Sequence, residues 1–172
     1  MGTLFELRID QAIWLFPACV AVHFLEEAPA FARWARRHIS PLYTDAHWRR
    51  VHSTGAVAAL LGAAAVATWP SPLTVFLFIA FLLAPMVFNS VFHLSASIWA
   101  RSYSPGTISA TLLFPGLCTY LVWLACEARM LNPLSATAAA IMGGAFHALD
   151  LAMTVFFLGR RERQFKESAR RA

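Results

Sequence analysis

The sequence predicts an all-α polytopic membrane protein, a bundle of five transmembrane helices, and three observations lead there. Of 172 residues, 59% are hydrophobic and only 13% are charged. A soluble domain carries roughly 25% charged residues because its surface must be hydrated. Five stretches are each long and apolar enough to cross a bilayer, which takes about 20 mostly apolar residues. Basic residues and tryptophans collect at the ends of those stretches, where membrane topology places them.

The predicted spans run over about 13–31, 51–69, 73–99, 106–123 and 134–158. The first opens near Phe16-Pro17-Ala18-Cys19. The apolar stretch before that cysteine is only about six residues, too short for a cleaved leader, so the segment is read as a mature helix. Trp69-Pro70-Ser71-Pro72 breaks the chain between the second and third spans, and Asn132-Pro133 breaks it before the fifth. The polar, basic loop 32–50 suits a short interfacial helix, and residues 160–172 form a basic tail. Cys19, Cys118 and Cys126 lie in or beside apolar segments without metal-type spacing, and read as buried thiols.

With five spans, twelve basic residues share one side: Arg33, Arg36, Arg37, Arg49, Arg50, Arg101, Arg160, Arg161, Arg163, Lys166, Arg170 and Arg171. Only Arg8 and Arg129 lie on the other. The positive-inside rule then predicts an outside N-terminus and a cytoplasmic C-terminus, in what would be a bacterial cytoplasmic membrane. Trp14, Trp69 and Trp123 fall near outer ends, and Trp34, Trp48 and Trp99 near inner ends, as an aromatic belt requires. The net charge of +5 follows from this flanking pattern and does not point to nucleic acid. The expected partners are the lipid bilayer and a lipophilic small molecule, and the sequence gives no oligomeric state.

Ionisable groups inside hydrocarbon are expensive and usually functional. The first span holds His23-Phe24-Leu25-Glu26-Glu27, where His23 shares a helix face with the residues three and four further on. Asn89 and His93 lie four apart in the third span, and His147 and Asp150 three apart in the fifth. Counted at ~1.5 Å per residue, all three stripes reach the cytoplasmic half of the bundle. His52 begins the second span on that side, and Tyr103-Ser104-Pro105-Gly106 turns into the fourth.

His23-x-x-Glu26-Glu27 followed by Pro29, with Asn89-x-x-x-His93 and Tyr103-x-Pro105-Gly106 further on, resembles the HXXEE-motif family of small bacterial integral membrane proteins. The resemblance would cover nearly the whole chain. It implies a membrane protein and supplies no substrate.

The residues themselves suggest a divalent metal. Three imidazoles from three helices match the three-His, open-position pattern of catalytic zinc, so His23, His93 and His147 are candidate ligands, with Glu26 and Glu27 as further ligands. Glu26, Glu27 or Asp150 would then transfer protons. Asn89, His52 and Tyr103 are expected around them, and Asp150 or Asn89 can orient a ligating imidazole. A di-iron centre is the alternative, because helix bundles hold such centres with Glu and His at this spacing. The expected function is a membrane-embedded metal-dependent enzyme, hydrolytic with zinc or oxidative with iron. Three other readings stay open on sequence: a metal-free acid–base isomerase or cyclase of a lipophilic substrate, an ion or small-molecule transporter, and a polar network that only fixes helix packing.

Overall fold

The computed structural model describes residues 7–171, and no strand occurs among them. Five helices among the described residues are long and apolar enough to cross a membrane: Ile9–Glu27, Asp45–Thr68, Pro72–Ala100, Thr107–Glu127 and Pro133–Gln164. They are the first to fifth spans below. A short helix, Phe31–His38, lies between the first two.

Local chemistry sets the boundaries. The first span is interrupted at Ile13-Trp14 and restarts at Leu15. Pro17 explains the break, since it donates no hydrogen bond and its ring crowds the carbonyl four residues back. The span ends at Glu27, four residues before its expected end, because Ala28-Pro29-Ala30 forms a turn. Phe31 therefore opens the short helix. Thr44 caps the second span by accepting the His47 N–H at 3.1 Å. That span starts at Asp45 and takes in part of the expected loop. Ser71 and Thr74 form a capping box ahead of the third span. Inside it, Ile79–Leu83 is a π-helical turn directly before Ala84-Pro85. The wider turn relieves the conflict between the proline ring and the preceding backbone. Asn132 and Ser135 cap the fifth helix reciprocally at 2.9 Å. That helix continues to Arg171, so the basic tail extends the last span without a break.

The third span is central, packing on both the fourth and the fifth. At Gly143 the fifth comes so close that a Cβ would lie 2.5 Å from the Ala84 Cβ and 2.8 Å from the Ala80 carbonyl. Small residues permit such approaches between membrane helices. Phe16, Leu83, Phe114 and Leu121 are completely or almost completely buried in the main core, while Leu61, Leu112 and Leu134 are exposed as lipid-facing residues are.

A second, smaller core closes the end of the bundle that carries loops 28–44 and 101–106. Phe31, Ala32, Trp34 and Ala35 turn inward from the short helix and pack with Tyr43, Trp48, Phe92 and Leu158. The tryptophans accordingly divide. Trp14, Trp69, Trp99 and Trp123 are exposed, as a belt requires. Trp34 is 7% exposed and donates to Ser102 Oγ at 3.1 Å, and Trp48 is half-buried. Those two belong to the protein interior.

Candidate metal centre

The site is assembled where the first four spans meet at that same end. Glu27 is the last residue of the first span and His23 stands one turn earlier. His52 lies seven residues into the second span, His93 seven residues before the end of the third, each about 10 Å of helix from the loops. The start of the fourth span closes the arrangement.

Glu27 is the hub. Its Oε1 lies 3.3 Å from His23 Nε2 and 2.9 Å from His93 Nε2. Its Oε2 accepts the Trp48 indole N–H at 3.0 Å and contacts His52 Nε2. The side chains of His23 and His93 are 1% exposed, that of Glu27 3%, and that of His52 12%. One donor atom each from His23, Glu27 and His93 lie within 4.8 Å of one another, close enough to share a single metal ion.

The outer nitrogens determine which way the imidazoles are protonated. His52 Nδ1 lies 2.8 Å from the Trp48 carbonyl oxygen, which only accepts, so this nitrogen carries a hydrogen. His23 Nδ1 lies 3.0 Å from Ser109 Oγ, whose own hydrogen goes to the Gly106 carbonyl at 3.3 Å. With the hydroxyl turned to Gly106, His23 donates from Nδ1 as well. Its Nε2 accepts the Asn89 side-chain N–H at 3.2 Å. His93 Nδ1 meets Ser104 Oγ at 3.2 Å. With Nδ1 protonated, the neutral His23 and His52 rings each offer one Nε2 lone pair to the cluster, and on His23 either the Asn89 N–H or a metal ion can take it. Two acceptors facing one another in a buried site are costly unless a proton or a metal ion lies between them. Metal-bound histidines characteristically donate the outer N–H to a protein acceptor, so the residues present fit a metal ion.

The loop into the fourth span covers the cluster. Gly106 has φ +98°, and a Cβ there would lie 2.8 Å from Cε1 of both His23 and His93 and 2.9 Å from Glu27 Cγ. Only glycine satisfies both that backbone conformation and that approach. This accounts for the glycine in Tyr103-x-Pro105-Gly106.

Glu26 points elsewhere. Its Oε2 accepts the Ser109 N–H at 2.8 Å and its Oε1 the Ile108 N–H at 3.2 Å; Tyr103 donates its hydroxyl to the same carboxylate. Glu26 thus caps the N-terminus of the fourth span from a neighbouring helix, satisfying two otherwise unpaired amides beside the positive end of the helix dipole. Burial and the bond to Glu26 push the Tyr103 phenol up to about 12. Burial, reinforced by the Glu27 carboxylate, also pushes the Tyr43 phenol up.

The expected groups therefore separate. His23, Glu27 and His93 converge, with Asn89 holding His23 and Tyr103 holding Glu26. His52, expected only around the ligands, touches Glu27 directly. His147 is not in the cluster: it borders a groove with Phe88, Phe92 and Leu151, and its buried Nε2 has no hydrogen-bond partner among the described residues. Asp150 is exposed. On the third span, Phe88 and Phe92 lie on a different face from Asn89 and His93, which is why a third imidazole at matching depth still misses the site. Trp48, Ser104 and Ser109 join the site without having been anticipated. Trp48 was legible as the residue four before His52, but its place beside a loop read as an interfacial anchor. The serines carried no signal.

Among known protein families, residues 14–121 match the one described as "protein of unknown function with HXXEE motif". No curated protein and no solved structure matches the chain.

Proposed function

We propose that this chain, which belongs to the HXXEE family, is a membrane-embedded metal-dependent enzyme acting on a lipophilic or amphipathic substrate. The observation that carries the reading is the convergence of His23 Nε2, His93 Nε2 and a Glu27 oxygen on one buried point, with the outer nitrogens of both rings engaged by serine hydroxyls. Two histidines and one carboxylate leave positions open on zinc or non-haem iron. An ion there would supply Lewis acidity to a water or a substrate oxygen.

The chain's own residues divide the remaining work. His52 keeps its hydrogen on Nδ1 and turns a basic Nε2 inward at the most exposed edge of the cluster, so it is the proton acceptor in this reading. Glu27 is a ligand. Glu26 is committed to the helix cap, which leaves one carboxylate in the cluster. That number suits a single ion better than a di-iron pair, whose helix-bundle sites use several carboxylates. Positive-inside topology would put the centre at the cytoplasmic side.

Metal analysis of the purified full-length protein tests the proposal. One ion per chain is expected, lost in His23→Ala and His93→Ala and kept in His147→Ala. Absence of any metal after expression in zinc- and iron-supplemented media would overturn it. A metal-free acid–base enzyme is the second reading, favoured by the direct contact between His52 and Glu27, which can share a proton where no ion intervenes.

A further inference from the structure

We infer that the substrate is a bilayer amphiphile with an anionic head group, taken in at the seam between the first and second spans and held there by Arg49, with Arg50 adding to the local positive charge. This rests on the metal-enzyme reading above and names its substrate class.

The cluster is sealed except at one edge. Of its four side chains only that of His52 has appreciable exposure, 12% against 1–3% for the others. The His52 ring sits between two aromatic side chains, stacked on Trp48 at 4.2 Å and edge-on to Phe24 at 4.4 Å. One turn deeper, Gly55 supplies no side chain and its position lies against Phe24. Leu25 on the first span and Val51 on the second are exposed beside this edge. An apolar chain lying in the membrane meets the same kind of surface here that it meets in the bilayer.

The polar end of the seam is cationic. Arg49 and Arg50 are exposed and directly precede Val51-His52 on the helix. Arg49 is three residues before His52, so it shares that side of the helix about 4.5 Å nearer the loops, whereas Arg50, two residues before it, lies towards the opposite side and adds positive charge at the same depth. Two other basic residues of that end are engaged: Arg36 with Asp45 at 3.4 Å and Arg33 with the Pro29 carbonyl at 3.3 Å. Neither Arg49 nor Arg50 makes a hydrogen bond or ion pair among the described residues. Two unpaired guanidinium groups at head-group depth are matched by the oxygens of a phosphate or carboxylate, which arginine binds bidentately. A head held there leaves the bonds that join it to its chain level with His52 and the ion. A head with a quaternary ammonium adds a cation where two are already unpaired.

The test uses full-length protein in a neutral maltoside detergent, loaded with Co²⁺ and titrated with dodecyl phosphate while the visible cobalt bands are followed. A saturable change is expected, with the apparent Kd raised about tenfold or more in Arg49→Gln/Arg50→Gln and restored towards the original in Arg49→Lys/Arg50→Lys. Cobalt content should be the same in all three proteins. With cobalt bound, no spectral response, or equal affinity in the Gln variant, would overturn the inference. Equal potency of inorganic phosphate would show that no chain is needed, and equal potency of dodecylphosphocholine that no net charge is needed; either result also overturns it. Retention of phosphatidate over phosphatidylcholine, measured by native mass spectrometry, requires no metal. It should be lost in the Gln variant, and failure there counts against the inference whether or not cobalt binds. A protein that binds no cobalt but selects phosphatidate through these arginines would instead overturn the metal reading alone.

Discussion

His23 Nε2 lies 3.3 Å from Oε1 of Glu27, one helical turn further on, and with the ring's hydrogen on Nδ1 both atoms are acceptors. The Nδ1 hydrogen of His23 is spent on Ser109, so the ring has none left for the carboxylate unless it is a cation. A metal ion between the two atoms would remove the conflict, with His93 Nε2, 2.9 Å from the same oxygen, as a third donor.

Removing the ion should therefore destabilise the fold. A ligand present at about 100 times its Kd stabilises by about 2.7 kcal/mol. A chelator should lower the thermal unfolding midpoint of the wild type by several degrees. It should leave His23→Ala, which unfolds lower from the start, almost unmoved. Differential scanning fluorimetry with and without chelator makes the comparison.

Gly106→Ala places a methyl group against three cluster side chains in a conformation that costs a non-glycine residue about 1 kcal/mol or more. Reduced metal content together with reduced stability is expected. Gly116 provides the control, because nothing lies within 4 Å of a Cβ there. Gly116→Ala should be neutral or stabilising by up to about 1 kcal/mol.

Glu26→Ala should keep the metal and lose stability. Capping side chains contribute about 0.5–2 kcal/mol, and this one holds two amides and Tyr103. Equal loss of metal in Glu26→Ala and Glu27→Ala would return Glu26 to the ligand set.

His147→Leu should leave metal content unchanged and raise stability slightly. The buried Nε2 has no partner among the described residues, and an unsatisfied polar group costs about 1–3 kcal/mol. Elemental analysis and a thermal melt on the same sample read both effects.

The phenol of Tyr103 is raised from an ordinary 10.0 to about 12. A raised folded-state pKa means that its contribution to stability is complete below about pH 10 and fades as pH climbs through about 12. The stability difference between wild type and Tyr103→Phe should therefore be constant from neutral pH to about 10 and shrink above it. Unfolding midpoints across that range measure the difference.

How much was legible in the sequence follows from the physics of each feature. The five spans are, because lipid demands continuous apolar length and caps such as Thr44 and Ser71 are local. The pairing of His23 with Glu27 is, because i and i+4 share a face. The exclusion of His147 is not, because depth along a helix can be counted while rotation about its axis depends on packing; here the close approach at Gly143 sets it. The role of Glu26 is not legible either: adjacent carboxylates point about 100° apart, and only the tertiary arrangement brings the free amides of Ile108 and Ser109 to one of them. Trp48 combines both limits, with a spacing to His52 that is local and a bond to Glu27 that is not.

The most direct test of the central claim is X-ray absorption spectroscopy at the metal edge of the purified protein. A single type of site with only nitrogen and oxygen neighbours is predicted, with the multiple scattering of two or three imidazoles, and with that imidazole signal lost in His93→Ala. A sulfur shell from the cysteines, or a metal environment without imidazole, would contradict it.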